Sequence, residues 1–141
     1  MANAYYTKEQ KKEIIIYART RHLDIIPNIE LNGNLNDLFR LEQYADLAVV
    51  PHGGEFKPYD PSIKFIIDDW ITQIAGLFPS PFFHIGFDET WLIRNEVEKL
   101  ELPPETLYLK MLRQATDRVE KQGKMPLVWA DMLQKFSSII T

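Results

Sequence analysis

Phe82-Phe83-His84-Ile85-Gly86-Phe87-Asp88-Glu89 decides the fold of this chain. Six mostly apolar residues stand between Pro81 and the acid Asp88. A short apolar run with turn signals at both ends suits a strand buried on both faces, as the strands of a parallel sheet are. Parallel strands need long crossovers, usually helical, so helices are expected on either side.

They are legible in both directions. Upstream, Asp60-Pro61 pairs an N-cap acid with proline at the first helical position. Ile63, Ile66, Ile67, Trp70, Ile74 and Leu77 then recur at helical spacing up to Pro79. Downstream, Leu107, Met111, Leu112, Ala115 and Val119 mark a helix from about Pro104 to Gln122, with Gly123 as its stop. Pro126-Leu127-Val128-Trp129 reads as the next strand. Further back, Leu23-Asp24-Ile25-Ile26 reads as a first strand ending at Pro27. Before it, a helix opens on a Thr7/Gln10 capping box, runs to about Arg21, and is expected to bury Ile14, Tyr17 and Ala18. Residues 31–59 are less regular, with a short helix expected within Leu35 to Tyr44 and a loop at His52-Gly53-Gly54. Helix, strand, helix, strand, helix, strand is an α/β order with about three parallel strands and right-handed crossovers.

The composition is that of one domain. The chain has 141 residues, 45% of them apolar, and 16 basic against 20 acidic residues give a net charge of −4. That balance argues against a nucleic-acid partner. The cluster Lys8, Lys11 and Lys12 fits the solvated face of a helix. There is no cysteine, which excludes disulfides, thiolate catalysis and Cys-based zinc sites. His22, His52 and His84 lack metal-ligand spacing, so no metal or other cofactor is expected. No apolar run approaches the ~20 residues that cross a bilayer, Met1-Ala2-Asn3 does not begin a signal peptide, and no membrane partner is expected.

In a parallel α/β arrangement, ligands bind at the carboxyl ends of the strands. Here the three ends carry Asn28 and Glu30, Asp88 and Glu89, and Trp129 and Asp131. Glycosidases that use two opposed carboxyls hold them roughly 5 to 9 Å apart across the scissile bond. Neighbours in one extended segment cannot easily flank a bond in that way. They can divide the work, one protonating the leaving oxygen and the other positioning a nucleophile that is not a protein residue. The bland alternative is that Asp88 and Glu89 cap the following segment or pair with Arg94. His84, inside the strand, fits a hydrogen-bonded supporting histidine better than a catalytic one. His52 and Glu55 fit a solvated loop better than substrate contacts.

The run His84-Ile85-Gly86-Phe87-Asp88-Glu89 resembles the His-(Ile/Leu)-Gly-Gly-Asp-Glu strand of glycoside hydrolase family 20, the β-N-acetylhexosaminidases and their relatives. Tyr6 to Ala18 and Ile25-Ile26-Pro27-Asn28-Ile29-Glu30 are similar to that family's helix and its strand ending in Ile-Pro-Glu-Ile-Asp. Asp60-Pro61-Ser62 and Leu77-Phe78-Pro79 bracket the intervening helix, and Leu127 to Asp131 looks like the later Gly-Trp-(Asp/Glu) strand. The resemblance covers nearly the whole chain. It departs at Asn28 for Glu, Glu30 for Asp, Asn32-Gly33-Asn34 for Pro-Gly-His and Phe87 for glycine.

The resemblance implies a partial (β/α)8 barrel acting on terminal N-acetyl-β-hexosaminides by substrate-assisted retaining hydrolysis. Glu89 would be general acid and then base, kept protonated by partial burial near Asp88. Asp88 would hold the 2-acetamido group whose carbonyl oxygen attacks. Trp129 would wall the acetamide methyl, with Asp131, Glu30 and Asn28 also lining the substrate. A complete barrel takes about 250 residues. The chain is therefore expected to be the central piece of one, without its first and last strands or the family's first-strand arginine. Alone it is expected to be inactive and to self-associate through open strand edges. Two other readings stay open: an inactive carbohydrate-binding or vestigial barrel piece, and a different barrel glycosidase whose second carboxylate is Asp131 or Glu30.

Overall fold

β1 (Phe82–His84) and β2 (Met125–Leu127) pair in parallel, with Phe82 opposite Met125, Phe83 opposite Pro126 and His84 opposite Leu127. The structure, a computed structural model, describes residues 5–96 and 101–136; Met1, Ala2 and Asn3 lie outside them. Ile85 N donates to Leu127 O at 2.9 Å and Trp129 N to Gly86 O at 3.1 Å, so pairing continues past both strands toward the acid pair. Met125 N donates to Pro81 O. Alternation then turns the N-side of Pro126 away from β1, where a missing donor does not harm this ladder.

The first of the three expected strands is reduced to one bridge. Asn28 pairs with His84 in parallel, with His84 N donating to Pro27 O at 2.9 Å and Ile29 N to His84 O at 3.0 Å. The next pair back would need an N–H from Pro27 to Phe82, which proline lacks. Beyond the bridge, Gly86 has φ +71° and turns the chain out of register, so Leu31 N donates to Ile85 O instead. Leu23 to Ile26 therefore form no strand among the described residues. The α/β class and the parallel sense stand; the sheet has two strands and an isolated bridge.

The helices follow the sequence more closely. α1 (Lys8–Arg19) carries the Thr7/Gln10 capping box in both directions, at 2.8 and 3.2 Å. It buries Ile15 and Ala18, whereas Ile14 and Tyr17 are exposed. Ile14 to Tyr17 offers two apolar faces, and the one at i, i+3 from Ile15 meets the core. Tyr17 instead stacks under the Arg21 guanidinium, 3.5 Å from its ring centre. The short helix expected at 35–44 is split into a 3₁₀ turn at Leu38–Arg40 and α2 (Glu42–Ala45).

α3 (Pro61–Leu77) begins where expected, with the Asp60 carboxylate accepting from Ser62 N at 2.9 Å. α4 (Pro104–Lys121) buries Leu107, Met111, Leu112, Ala115 and Val119, and also Tyr108. These two helices pack together, with an Arg118–Asp68 ion pair at their contact. α5 (Asp131–Lys135) follows β2. Phe83, Ile85 and Phe87 lie at the centre of the core, among Ile63, Ile67 and Ile71 of α3 and the buried face of α4. No helix among the described residues is long and apolar enough to cross a membrane.

Candidate active site

All six residues singled out at strand ends lie along the carboxyl edge of the sheet. Asp88, Glu89, Trp129 and Asp131, with Ala130, line an open cleft of about 300 Å³. Glu30 lies behind Asp88, and Asn28 joins it through a hydrogen bond from Nδ2 to Glu30 Oε1 at 3.2 Å.

The neighbours Asp88 and Glu89 sit in different surroundings. The Asp88 side chain is half-buried and accepts from Asn34 Nδ2 at 3.2 Å. Its other oxygen, Oδ1, is buried without a donor, as is Oε2 of Glu30. Burial holds the Glu30 carboxyl above the ordinary carboxylate range; the Asn28 amide opposes this, and the Asp88 charge adds to it. Glu89 is exposed at the cleft. Burial, expected for Glu89, falls on Glu30 instead; the backbone at Glu89 is left-handed (φ +49°). The Glu89 N–H is held by Asp131 Oδ2 at 3.1 Å.

Close backbone packing sets this geometry. A Cβ on Gly33 would stand 2.2 Å from the Asp88 carbonyl oxygen, and one on Gly86 would stand 1.8 Å from Glu30 Oε2. At Gly33 the obstacle is backbone, so only glycine lets the two segments interlock there; at Gly86 it is the Glu30 carboxylate, and the φ of +71° favours glycine. Phe87, at the resemblance's second glycine, keeps a left-handed backbone (φ +70°). That conformation costs a non-glycine residue roughly 1–2 kcal/mol. Full burial of the ring offsets it by about 1.5–3 kcal/mol. The ring meets Tyr108 edge-on at 5.8 Å, and Tyr108 OH donates to Phe87 O at 3.0 Å.

Trp129 is not a core residue: it is 51% exposed and lies tilted over His84, with ring centres 4.7 Å apart. His84 Nδ1 is 2.9 Å from Asn28 Oδ1 and 3.1 Å from Gly86 N. A neutral ring uses that nitrogen either to donate to Asn28 or to accept from Gly86. Burial lowers the His84 pKa, and the Asp88 charge opposes this. His84 thus supports the Asn28–Glu30–Asp88 chain from inside the sheet. Among the described residues no group of three or more His, Asp or Glu could hold a metal ion.

Sequence reasoning missed Glu55. It is buried, not part of a solvated loop, and its carboxylate accepts from Leu92 N at 2.6 Å and Ile93 N at 2.9 Å. Burial pushes its carboxyl above the ordinary range, against the backbone donors of Leu92, Trp91 and Ile93. The only signal in the sequence was a lone acid between Gly54 and Phe56, which a surface loop would carry equally well. Asn34 and Tyr108 were likewise invisible as partners of this segment, since both act across more than twenty residues of chain.

The family model described as glycosyl hydrolase family 20, catalytic domain, matches residues 1–141. A β-hexosaminidase of Porphyromonas gingivalis is 31% identical over 154 residues, which span 94% of this chain and 19% of that protein. The structure of Streptomyces plicatus N-acetyl-β-hexosaminidase in complex with Thio-NAglucal superposes with a TM-score of 0.74 at 28% identity, covering 91% of this chain and 26% of that one. A Vibrio harveyi exo-β-N-acetylglucosaminidase in complex with N-acetylglucosamine gives 0.72 at 27% identity, covering 89% and 22%. The chain thus spans about a fifth to a quarter of the length of these relatives. With its acid pair on the carboxyl edge of a parallel sheet and the whole of its length matched, the chain belongs to glycosyl hydrolase family 20.

Proposed function

We propose that residues 1–141 are the central part of a (β/α)8 barrel that hydrolyses terminal N-acetyl-β-hexosaminides by a substrate-assisted retaining mechanism. The observation that carries this reading is the division of environment within Asp88-Glu89. Glu89 is exposed at the cleft, where a general acid meets the leaving oxygen, while Asp88 is half-buried and braced by Asn34 and Glu30. A carboxylate held still in this way suits orienting the N–H of a 2-acetamido group, so that its carbonyl oxygen attacks the anomeric carbon. The leaving oxygen takes the Glu89 proton as the glycosidic bond breaks, and the resulting oxazolinium ion opens when water attacks the same carbon and gives its proton back to Glu89. Trp129 supplies an exposed aromatic face for the acetamide methyl, with Asp131 anchoring the Glu89 backbone and Asn28 steadying Glu30.

The partial-barrel reading draws support from what the sheet leaves uncovered. Leu23 and Met125 are exposed large apolar residues, Met125 at the start of β2. Further strands and helices would cover such surface, and an isolated chain would self-associate and turn over no substrate.

The test is selectivity in the complete barrel. It should release nitrophenol from the N-acetylglucosaminide but hardly from the plain glucoside, and thiazoline mimics of the intermediate should inhibit it. Glu89→Gln should lower kcat by roughly 10²–10⁴-fold. Equal rates on both sugars would exclude assistance by the acetamide and favour a protein nucleophile such as Asp131 or Glu30. A binding-only barrel is the second reading, favoured by Asn34 at the histidine position of the family motif; it predicts thiazoline binding without turnover.

A further inference from the structure

We infer that Glu55 is a positioning residue for the acid Glu89, fixing that side chain through the backbone of residues 91–93. The inference rests on reading Glu89 as the general acid.

A carboxylate that is 3% exposed is unusual, because carboxylates are seldom buried without compensation. Here the compensation is backbone alone: Leu92 N and Ile93 N each donate to a separate Glu55 oxygen. These N–H groups open the 3₁₀ turn Leu92–Glu96 and have no partner within it. An exposed Ser or Asp next to the turn would cap it at less cost in desolvation. Instead the anchor comes from 37 residues earlier in the chain.

The anchored turn adjoins Glu89. Trp91 N donates to Glu89 O at 3.1 Å, so the residue immediately before the two held by Glu55 is tied directly to the acid's own carbonyl. Glu89 has φ +49°, a conformation that persists in a non-glycine residue only when its surroundings impose it. Three side chains do so from three parts of the fold: Tyr108 at Phe87 O, Asp131 at Glu89 N, and Glu55 at residues 92 and 93. Glu55 is itself rigid. Val49 N donates to Glu55 O at 2.9 Å, Leu35 N to Gly54 O at 2.9 Å, and the adjacent Phe56 is buried against Phe39. Of the three, Glu55 alone braces the downstream side, so losing it should leave Glu89 chemically intact but displaced from the leaving oxygen.

The test compares Glu55→Gln and Glu55→Asp with Glu89→Gln in the complete barrel. Two aryl N-acetylglucosaminides are used, one with a dinitrophenol leaving group that needs no proton and one with a poor phenol that does. Active sites are counted by titration with a thiazoline inhibitor, so misfolded protein does not enter the rates. For Glu55→Gln, kcat/KM per site, which reports the bond-breaking step alone, should fall about 10- to 100-fold on the poor leaving group and less than about 3-fold on dinitrophenol. Glu55→Asp keeps the charge but is one methylene shorter, and should shift the leaving-group ratio in the same direction by less. An equal loss on both substrates, or a loss of sites with the ratio unchanged, would make Glu55 merely structural and overturn the inference. If Glu89→Gln itself shows no leaving-group dependence, the acid assignment fails and the positioning role with it.

Discussion

Replacing Gly33 with alanine should displace Asp88 through a backbone clash. The added Cβ would stand 2.2 Å from the Asp88 carbonyl oxygen, and ordinary contact begins at 3.4 Å, so about 1.2 Å must open. Both sides of the contact are backbone, and neither can swing aside. Leu31, two residues before Gly33, is fully buried and tied to Ile85 O, which leaves the Asp88 segment to absorb much of the shift. Overpacking of this kind costs about 1–3 kcal/mol of stability. A displacement near 1 Å in a positioning group costs on the order of 10²-fold in rate, or about 2.7 kcal/mol of activation free energy. In the complete barrel, Gly33→Ala should therefore melt lower and release nitrophenol from the N-acetylglucosaminide about 10²-fold more slowly. Gly76→Ala is the control. Gly76 is exposed within α3 with no atom within 4 Å of its would-be Cβ, so activity should hold and stability should rise by about 0.5–1 kcal/mol. A Gly33→Ala enzyme with the parent kcat would refute the idea that this backbone contact sets the position of Asp88.

Two further outcomes follow from the same segment. The folded state raises the Glu30 pKa, so it binds that proton more tightly than the unfolded chain does. The resulting stability is complete below the unfolded carboxyl pKa and is lost as pH rises through the folded one. Glu30→Gln should remove this dependence, and thermal melts of the two proteins from about pH 4 to 8 should diverge in favour of the variant as pH rises; parallel curves would count against a raised Glu30 pKa. Tyr108→Phe removes the donor to a fully buried carbonyl at Phe87 and should cost about 1–3 kcal/mol in denaturant unfolding. An unchanged midpoint would mean that Phe87 O finds another donor.

The helices were legible because their signals are local. A capping box at Thr7, an aspartate–proline start at Asp60-Pro61 and apolar spacing in α4 each act within four residues, and each is found where the sequence indicates. The first strand was misread because Leu23 to Ile26 have the right side chains while Pro27 lacks the N–H that pairing with Phe82 would require. Likewise Ile14 and Ile15 are the same residue type, and only packing decides which faces the core.

By itself the sequence determined the α/β order, the parallel sense of the strands and the gathering of Asn28, Glu30, Asp88, Glu89, Trp129 and Asp131 on one edge. Those follow from periodicity and from the geometry of parallel sheets. The tertiary structure alone decided the different surroundings of Asp88 and Glu89, the burial that falls on Glu30, and the anchoring of the acid segment by Asn34, Tyr108 and Glu55. Each of these joins residues more than twenty positions apart in the chain. Burial and hydrogen bonding between such residues exist only after the backbone has brought them together, so no local pattern can encode them.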